Sequence, residues 1–319
     1  MACCCRNKLR KSIQLTQLQY KGTGSASGRT GSRYWRSKSA YLGVIPFLIV
    51  SGLFLLYPTW NVASGAFQDN YGKFSTDKLK EVFNSEIARK AFTNSLEISA
   101  KTALAGAILG ALFAWALVNG KPGGYFYRVS VALSSVLAQF GGVMLTFAFL
   151  ATFGFNGLIA NIAVKYAPDT FLADASWLYG KFGISVLYTF FQIPLMVLVF
   201  LPTLENLKPQ WREASDALGG KAYEYWLRIG IPILTPSFAG AALLLFVNSF
   251  SAYATAATLI NLSDFLTPLQ IATALTSETG GANPAEAKAL SFYMVVVVVI
   301  AMTLYSLLRR RVSKWEQRR

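Results

Sequence analysis

Glu213-Ala214-Ser215-Asp216-Ala217-Leu218-Gly219 is followed, ten residues beyond the glycine, by Ile229-Gly230-Ile231-Pro232. An exposed carboxylate such as Glu213 accepts charge-assisted hydrogen bonds from basic or backbone donors of another protein. A glycine such as Gly219 supplies positive φ and puts no side chain between two approaching backbones. This is the chemistry of gripping a partner, not of breaking a bond. A second group of polar residues sits inside apolar stretches: Gln139 just before Gly141-Gly142, Gln192 two residues before Pro194, and Asn248, Ser249, Ser251 and Tyr253 close together. Polar groups in lipid are costly, so they mark either a cavity lining or a helix–helix contact. Gln139, Gln192, Asn248 and Tyr253 are the expected pathway-facing groups, with interhelical hydrogen bonding as the alternative. Glu97 and Lys101, spaced i, i+4, should pair locally at the outer end of their span.

What is missing narrows the chemistry. The chain has no His, so His-based triads, His-ligated zinc and His proton relays are excluded. It has no Gly-x-x-x-x-Gly-Lys-Ser/Thr loop to cradle nucleotide phosphates. No catalytic residue, cofactor or metal site is expected. No intramembrane cluster of carboxylates supports a proton-coupled carrier, and no mirror-related pair of Gly/Pro-broken spans is evident. Cys3, Cys4 and Cys5 are adjacent and cannot staple a core; acylation is the alternative to a plain thiol-bearing tail.

The elements that must carry these residues are membrane helices. Of 319 residues 54% are apolar and 14% charged, against about 25% charged in soluble domains. Apolar runs of about 20 residues, enough to cross ~30 Å of hydrocarbon as helix, recur at 41–62, 94–118, 127–151, 183–204, 234–260 and 290–308. The expected fold is all-α and polytopic, with six transmembrane helices and a cytoplasmic helix-turn-helix. Basic residues divide 21 to one side and 8 to the other, which places both termini in the cytoplasm. The net charge of +15 is mostly this topology signal rather than a nucleic-acid footprint. Residues 1–40 read as a disordered basic tail near anionic lipid, without a signal-peptide cleavage pattern. Residues 41–308 form the membrane domain, and 309–319 a basic C-terminal tail.

The gripping residues lie in the connector 205–233, which is longer than the 2–8 residues that helix–helix connections usually take. Pro209 can open a first helix, with Glu213, Asp216 and Ala217 on one face. Gly219-Gly220 can stop it sharply. Lys221–Ile229 can form a second helix, and Pro232 marks the start of the next span. The alternative is an amphipathic loop lying on the membrane surface.

The spacing Glu-Ala-small-x-x-x-Gly, nine residues, Ile-x-aliphatic-Pro resembles the coupling motif of ABC importer permeases, with Ser215 and Ile231 in place of the commoner Ala and Leu. The resemblance extends over about 41–315. Asn94-Ser95-Leu96 looks like the start of that permease domain, and Asn248–Thr255 resembles the fifth-span segment of the polyamine, iron, thiamine and sulfate branch, with Ala252 where an acid is frequent. The resemblance implies a bacterial inner-membrane subunit that is not itself an enzyme. Glu213, Ala214, Ser215, Gly219, Ile229 and Pro232 would meet a separate ATPase subunit, which alone binds ATP and Mg. It also implies a second permease subunit, alike or related, and an extracytoplasmic solute-binding protein, with a polyamine-type solute as one expectation. A sugar permease, a secondary carrier and a membrane scaffold without transport are the competing readings.

Overall fold

The computed structural model describes residues 38–316 except 69–73, 121, 122, 167, 169, 261–264 and 277–282, and only the backbone of 38–43 and 308–316. The expected N-terminal tail, apart from its last three residues, and Cys3 to Cys5 lie outside the described residues. Six helices are long and apolar enough to cross a membrane, beginning with Val44–Gly65 and Glu86–Asn119 and ending with Pro284–Leu307. Between them come Val143–Tyr166, Lys181–Glu205 and Ala222–Phe250. The described residues contain no strand, only an isolated bridge between Gln68 and Phe74.

The chain divides into two units, Met1–Pro58 and Thr59–Arg319. In the first, α1 (Lys38–Ser51) runs into a π turn at Gly52–Leu56. The Tyr57 N–H donates to the Gly52 carbonyl, one step longer than in an α-helix. Pro58 follows directly: it brings no N–H and its ring crowds the carbonyl four residues back, so the widened turn accommodates it. α2 (Tyr57–Gly65) follows in the chain, its residues from Thr59 onward belonging to the second unit.

In the second unit α3 (Asp77–Asn84) precedes α4 (Glu86–Asn119). α4 begins eight residues earlier than expected from hydropathy. Ser85 caps it by accepting from the Ala88 N–H, and polar first turns escape an apolar-run criterion. After α5 (Tyr125–Gln139) and α6 (Val143–Phe153) come α7 (Leu158–Tyr166) and a 3-10 turn at Ala175–Tyr179. Asp174 caps that turn, and the bonds it accepts from Ser176 hold its carboxyl below the usual carboxylate range. The long α8 (Lys181–Glu205) leads into the connector helices α9 (Pro209–Ala217) and α10 (Ala222–Tyr225). Then follow α11 (Ile231–Phe250), α12 (Ala254–Leu259), α13 (Thr267–Thr276) and α14 (Pro284–Glu316). α14 begins ahead of the expected residue 290 and stays helical through the basic stretch to Glu316.

Two expected spans are broken. The run 127–151 is interrupted at Phe140–Gly142, where Gly142 takes φ 70. A side-chain-bearing residue rarely adopts that conformation, so hydropathy continues where the helix cannot. The run 234–260 stops at Phe250. The Ser251 hydroxyl donates to the Val247 carbonyl, offering the backbone an alternative to the helix ladder. The buried Tyr188 hydroxyl donates to the Ala252 carbonyl at 2.6 Å, satisfying one acceptor that the break releases.

α4 and α8 form the centre, and small residues bring them close. A Cβ on Gly106 would stand 2.6 Å from the Gln192 Cβ, and one on Gly110 would stand 2.5 Å from the Met196 Cβ and 2.7 Å from the Ile193 carbonyl oxygen. Gly106 and Gly110 make a Gly-x-x-x-Gly pair, the spacing that lets membrane helices approach. On α11, Leu234, Ala241 and Leu245 complete this core with Ala103, Ala107, Val197 and Phe200. A second cluster joins α4, α6, α8 and α12 around Ile98, Leu145, Leu187, Tyr188 and Ala256.

Asn94-Ser95 lies inside α4, two turns after its first residue, and anchors it. Asn94 donates to the Phe265 carbonyl and accepts from the Lys181 ammonium at 2.7 Å, while Ser95 accepts from the Thr267 N–H at 2.9 Å. Glu97 and Lys101 pair at 2.5 Å, as their spacing suggests.

Candidate functional sites

The connector folds back on itself as a tight turn. Pro209 opens α9 at its first positions, where its missing N–H costs nothing. The Gly219 N–H donates to the Asp216 carbonyl and the Gly220 N–H to the Ser215 carbonyl, closing the helix end, with Gly219 at φ 78. Glu224 then reaches back to the Lys221 N–H and starts α10. The expected separate second helix is not separate. α10 passes through a π turn, Trp226–Gly230, straight into α11, with the Ile231 N–H donating to the Trp226 carbonyl. Pro232 stands at the same offset from this turn as Pro58 does from the first, and the same crowding explains it.

This fold brings the two parts of the motif together. Ala214, Ser215, Gly219, Ile229 and Pro232 all line one cleft of about 630 Å³. Glu213 does not line it and stands exposed on the neighbouring face of α9. No atom lies within 4 Å of where a Gly219 Cβ would be, so the face beyond it is open. Leu218, at the apex, is 89% exposed. It was not among the expected contact residues; an apolar residue directly before the turn glycines is the signal that could have found it. Such a surface offers an acceptor, an open backbone and one apolar knob to a partner.

The second site lies where the broken spans meet. Gln139, Gly141 and Gly142 from the first break and Asn248, Ser251 and Tyr253 from the second line a pocket of about 260 Å³, with Phe191 on a further side. Thr146 ties the two breaks by hydrogen-bonding the Thr255 carbonyl at 3.4 Å. Three of the four expected pathway residues therefore meet at one place. The fourth does not reach it. Gln192 is fully buried between α8 and α4, donating to the Thr102 hydroxyl at 3.2 Å, and Ser249 stands 3.1 Å from the same hydroxyl. Its neighbour Phe191 faces the pocket instead, because consecutive helical residues point about 100° apart. The Gln192 Oε1 has no hydrogen-bond partner. No described residue lining the pocket is charged. Among the described residues no group of three or more His, Cys, Asp or Glu could hold a metal.

No protein-family profile matches the chain. Curated relatives include the probable sulfate transport system permease protein cysT of Helicosporidium sp. subsp. Simulium jonesii, 26% identical over 210 residues, covering 66% of this chain and 72% of that protein. The ferric transport system permease protein FbpB of Actinobacillus pleuropneumoniae is 22% identical over 212 residues, 65% of this chain but 29% of that protein. The sulfate transport system permease protein CysT of Escherichia coli strain K12 is 28% identical over 147 residues, 46% of this chain and 50% of that protein. The matched part of this chain thus spans half or less of the latter two relatives. Among solved structures, a bacterial ABC transporter involved in import of the acidic polysaccharide alginate superposes with a TM-score of 0.67 at 16% identity, covering 86% of this chain and 95% of that one. The same kind of transporter in complex with an alginate pentasaccharide-bound periplasmic protein gives 0.66 at 17% identity, with the same coverage.

Proposed function

We infer that this chain, a member of the binding-protein-dependent ABC importer permease family, forms one wall of an ATP-driven solute pathway in a bacterial inner membrane. The observation that carries this is the continuity of the coupling cleft with the span that ends at the pocket. Ala222–Phe250 is one uninterrupted helical stretch, starting beside Gly219 and ending at Ser251. On this reading a separate ATPase subunit, which binds ATP and Mg, grips Glu213, Leu218 and Gly219. Its closure moves that helix and reshapes the pocket. A second permease subunit encloses the pathway from the other side, and an extracytoplasmic binding protein delivers the solute. The 21 to 8 division of basic residues favours cytoplasmic termini. An ATPase docked at Gly219 can only be cytoplasmic, so the coupling experiments test the orientation as well.

For the solute, we propose a small oxyanion of the sulfate class. The pocket offers the amides of Gln139 and Asn248, the hydroxyl of Tyr253 and the backbone around Gly142, with no carboxylate among its described lining, while the Ser251 hydroxyl already donates to the Val247 carbonyl. An organic cation taken out of water needs an anionic partner, which weighs against the polyamine-type solute and against the acid-bearing fifth-span pattern. Neutral donors suffice for an oxyanion. Deleting the chain from cells that produce it should lower uptake of radiolabelled sulfate, and excess putrescine should not compete with the wild type. Unchanged sulfate uptake in the deletion strain together with lost putrescine uptake would overturn the solute assignment. Uptake driven by an ion gradient without ATP would favour the secondary-carrier reading.

A further inference from the structure

Between the coupling turn and the pocket the helix has two irregularities, Pro236 within α11 and the π turn Trp226–Gly230. The π turn lies nearer the coupling turn and is wedged against the bundle. The Trp226 ring meets Trp115 of α4 edge to face, with ring centroids 6.1 Å apart, and Tyr225 at 5.7 Å. Tyr225 is itself buried. Gly230 lies under the same ring, so that a Cβ there would come within 2.7 Å of the indole Cε3. Aromatic pairs in this geometry gain about 0.5–1.5 kcal/mol beyond their buried area, whereas a widened turn gives up regular helix hydrogen bonding and is the softest point of a helix. The turn would therefore bend under load unless something held it.

We propose that Trp226 is the positioning residue that holds it: by keying the π turn onto Trp115 and Gly230, it makes Ala222–Phe250 move as one lever. A displacement at Gly219 then reaches the Ser251–Tyr253 break instead of being absorbed at the π turn that begins seven residues along. The inference rests on the coupling role of the Gly219 turn.

The test needs no knowledge of the solute. In a chain lacking Cys3, Cys4 and Cys5, Ser251→Cys places a reporter in the pocket, and the complex is purified from its own membranes with its ATPase. Maleimide labelling of that reporter should change when the ATPase is trapped with ATP and vanadate. Trp226→Ala should leave ATPase association and hydrolysis intact while shrinking the trapping-dependent change in labelling rate about tenfold, within the span of coupling free energies between linked sites. Trp226→Phe, which keeps an aromatic face toward Trp115, should restore it. If Trp226→Ala is lost from the membrane, Gly230→Ala decides, since its added Cβ pushes the ring off its seat and should blunt the response alone. A full response in the variant that is retained would overturn the proposal, as would a parallel loss of ATPase association and response, which marks a purely structural role. No response with Trp226 in place would refute the coupling reading itself, and the inference with it.

Discussion

Gly219→Val should leave the chain in the membrane at normal abundance yet abolish transport and release the ATPase. Gly219 holds φ 78 and no atom of the described chain lies near its missing Cβ. The cost is therefore conformational within the chain and steric toward the partner. A β-branched residue at positive φ is a genuine outlier, and backbone strain of this kind costs about 1–3 kcal/mol. The strain falls on a turn outside every span, so insertion should be untouched. Gly219→Asn separates the two causes, because Asn tolerates the left-handed region but adds bulk. Partial activity for Asn and none for Val would assign the effect mainly to backbone geometry, and equal loss would assign it to the approach of the partner. Full uptake by Gly219→Val at matched expression would return residues 205–233 to the status of a loop.

Asn248→Leu should cut the initial rate of sulfate uptake by about 5- to 150-fold, the range for 1–3 kcal/mol of an unpaired polar group in a desolvated site. Abundance should stay normal, since Asn248 is exposed on the pocket wall. Gln192→Met provides the contrast. It keeps the length of the side chain, leaves Thr102 bonded to Ser249 and the Ile98 carbonyl, and removes a buried oxygen without a partner. Uptake and abundance should both survive it. Equal loss of uptake in the two variants would show that the pathway reaches Gln192 and that the pocket is not the site.

The contrast between these residues shows what the sequence could and could not convey. Hydropathy alone reports where lipid surrounds the chain, and that was enough for the number of spans, six, but not for the third, which is Val143–Tyr166 rather than the run 127–151. It does not report where the backbone stops being helical within an apolar run, because Gly141-Gly142 and Ser251 interrupt geometry without interrupting apolarity. For the same reason an amide inside a span is ambiguous: Gln139 and Gln192 look alike in sequence, and only the break beside Gln139 opens a pocket there, while Gly106 lets α4 close over Gln192. The turn at Gly219-Gly220 was more legible because it is local. Pro209, Gly219 and Gly220 each act through their own backbone. The merging of its second helix with α11 was hidden, since Pro232 reads as a helix start unless a π turn is allowed for. The packing stripe of Gly106 and Gly110 was present as a spacing but becomes meaningful only with Met196 and Ile193 opposite.

The claim that an external ATPase drives this chain through residues 205–233 is tested most directly by purifying it from its own membranes in mild detergent. A nucleotide-hydrolysing subunit should accompany the wild type and be lost when Gly219→Val is combined with Glu213→Lys, a change that puts a cation where an acceptor is expected. A wild-type chain that purifies at full yield without any ATPase, or an ATPase that stays bound to the double variant, would contradict it.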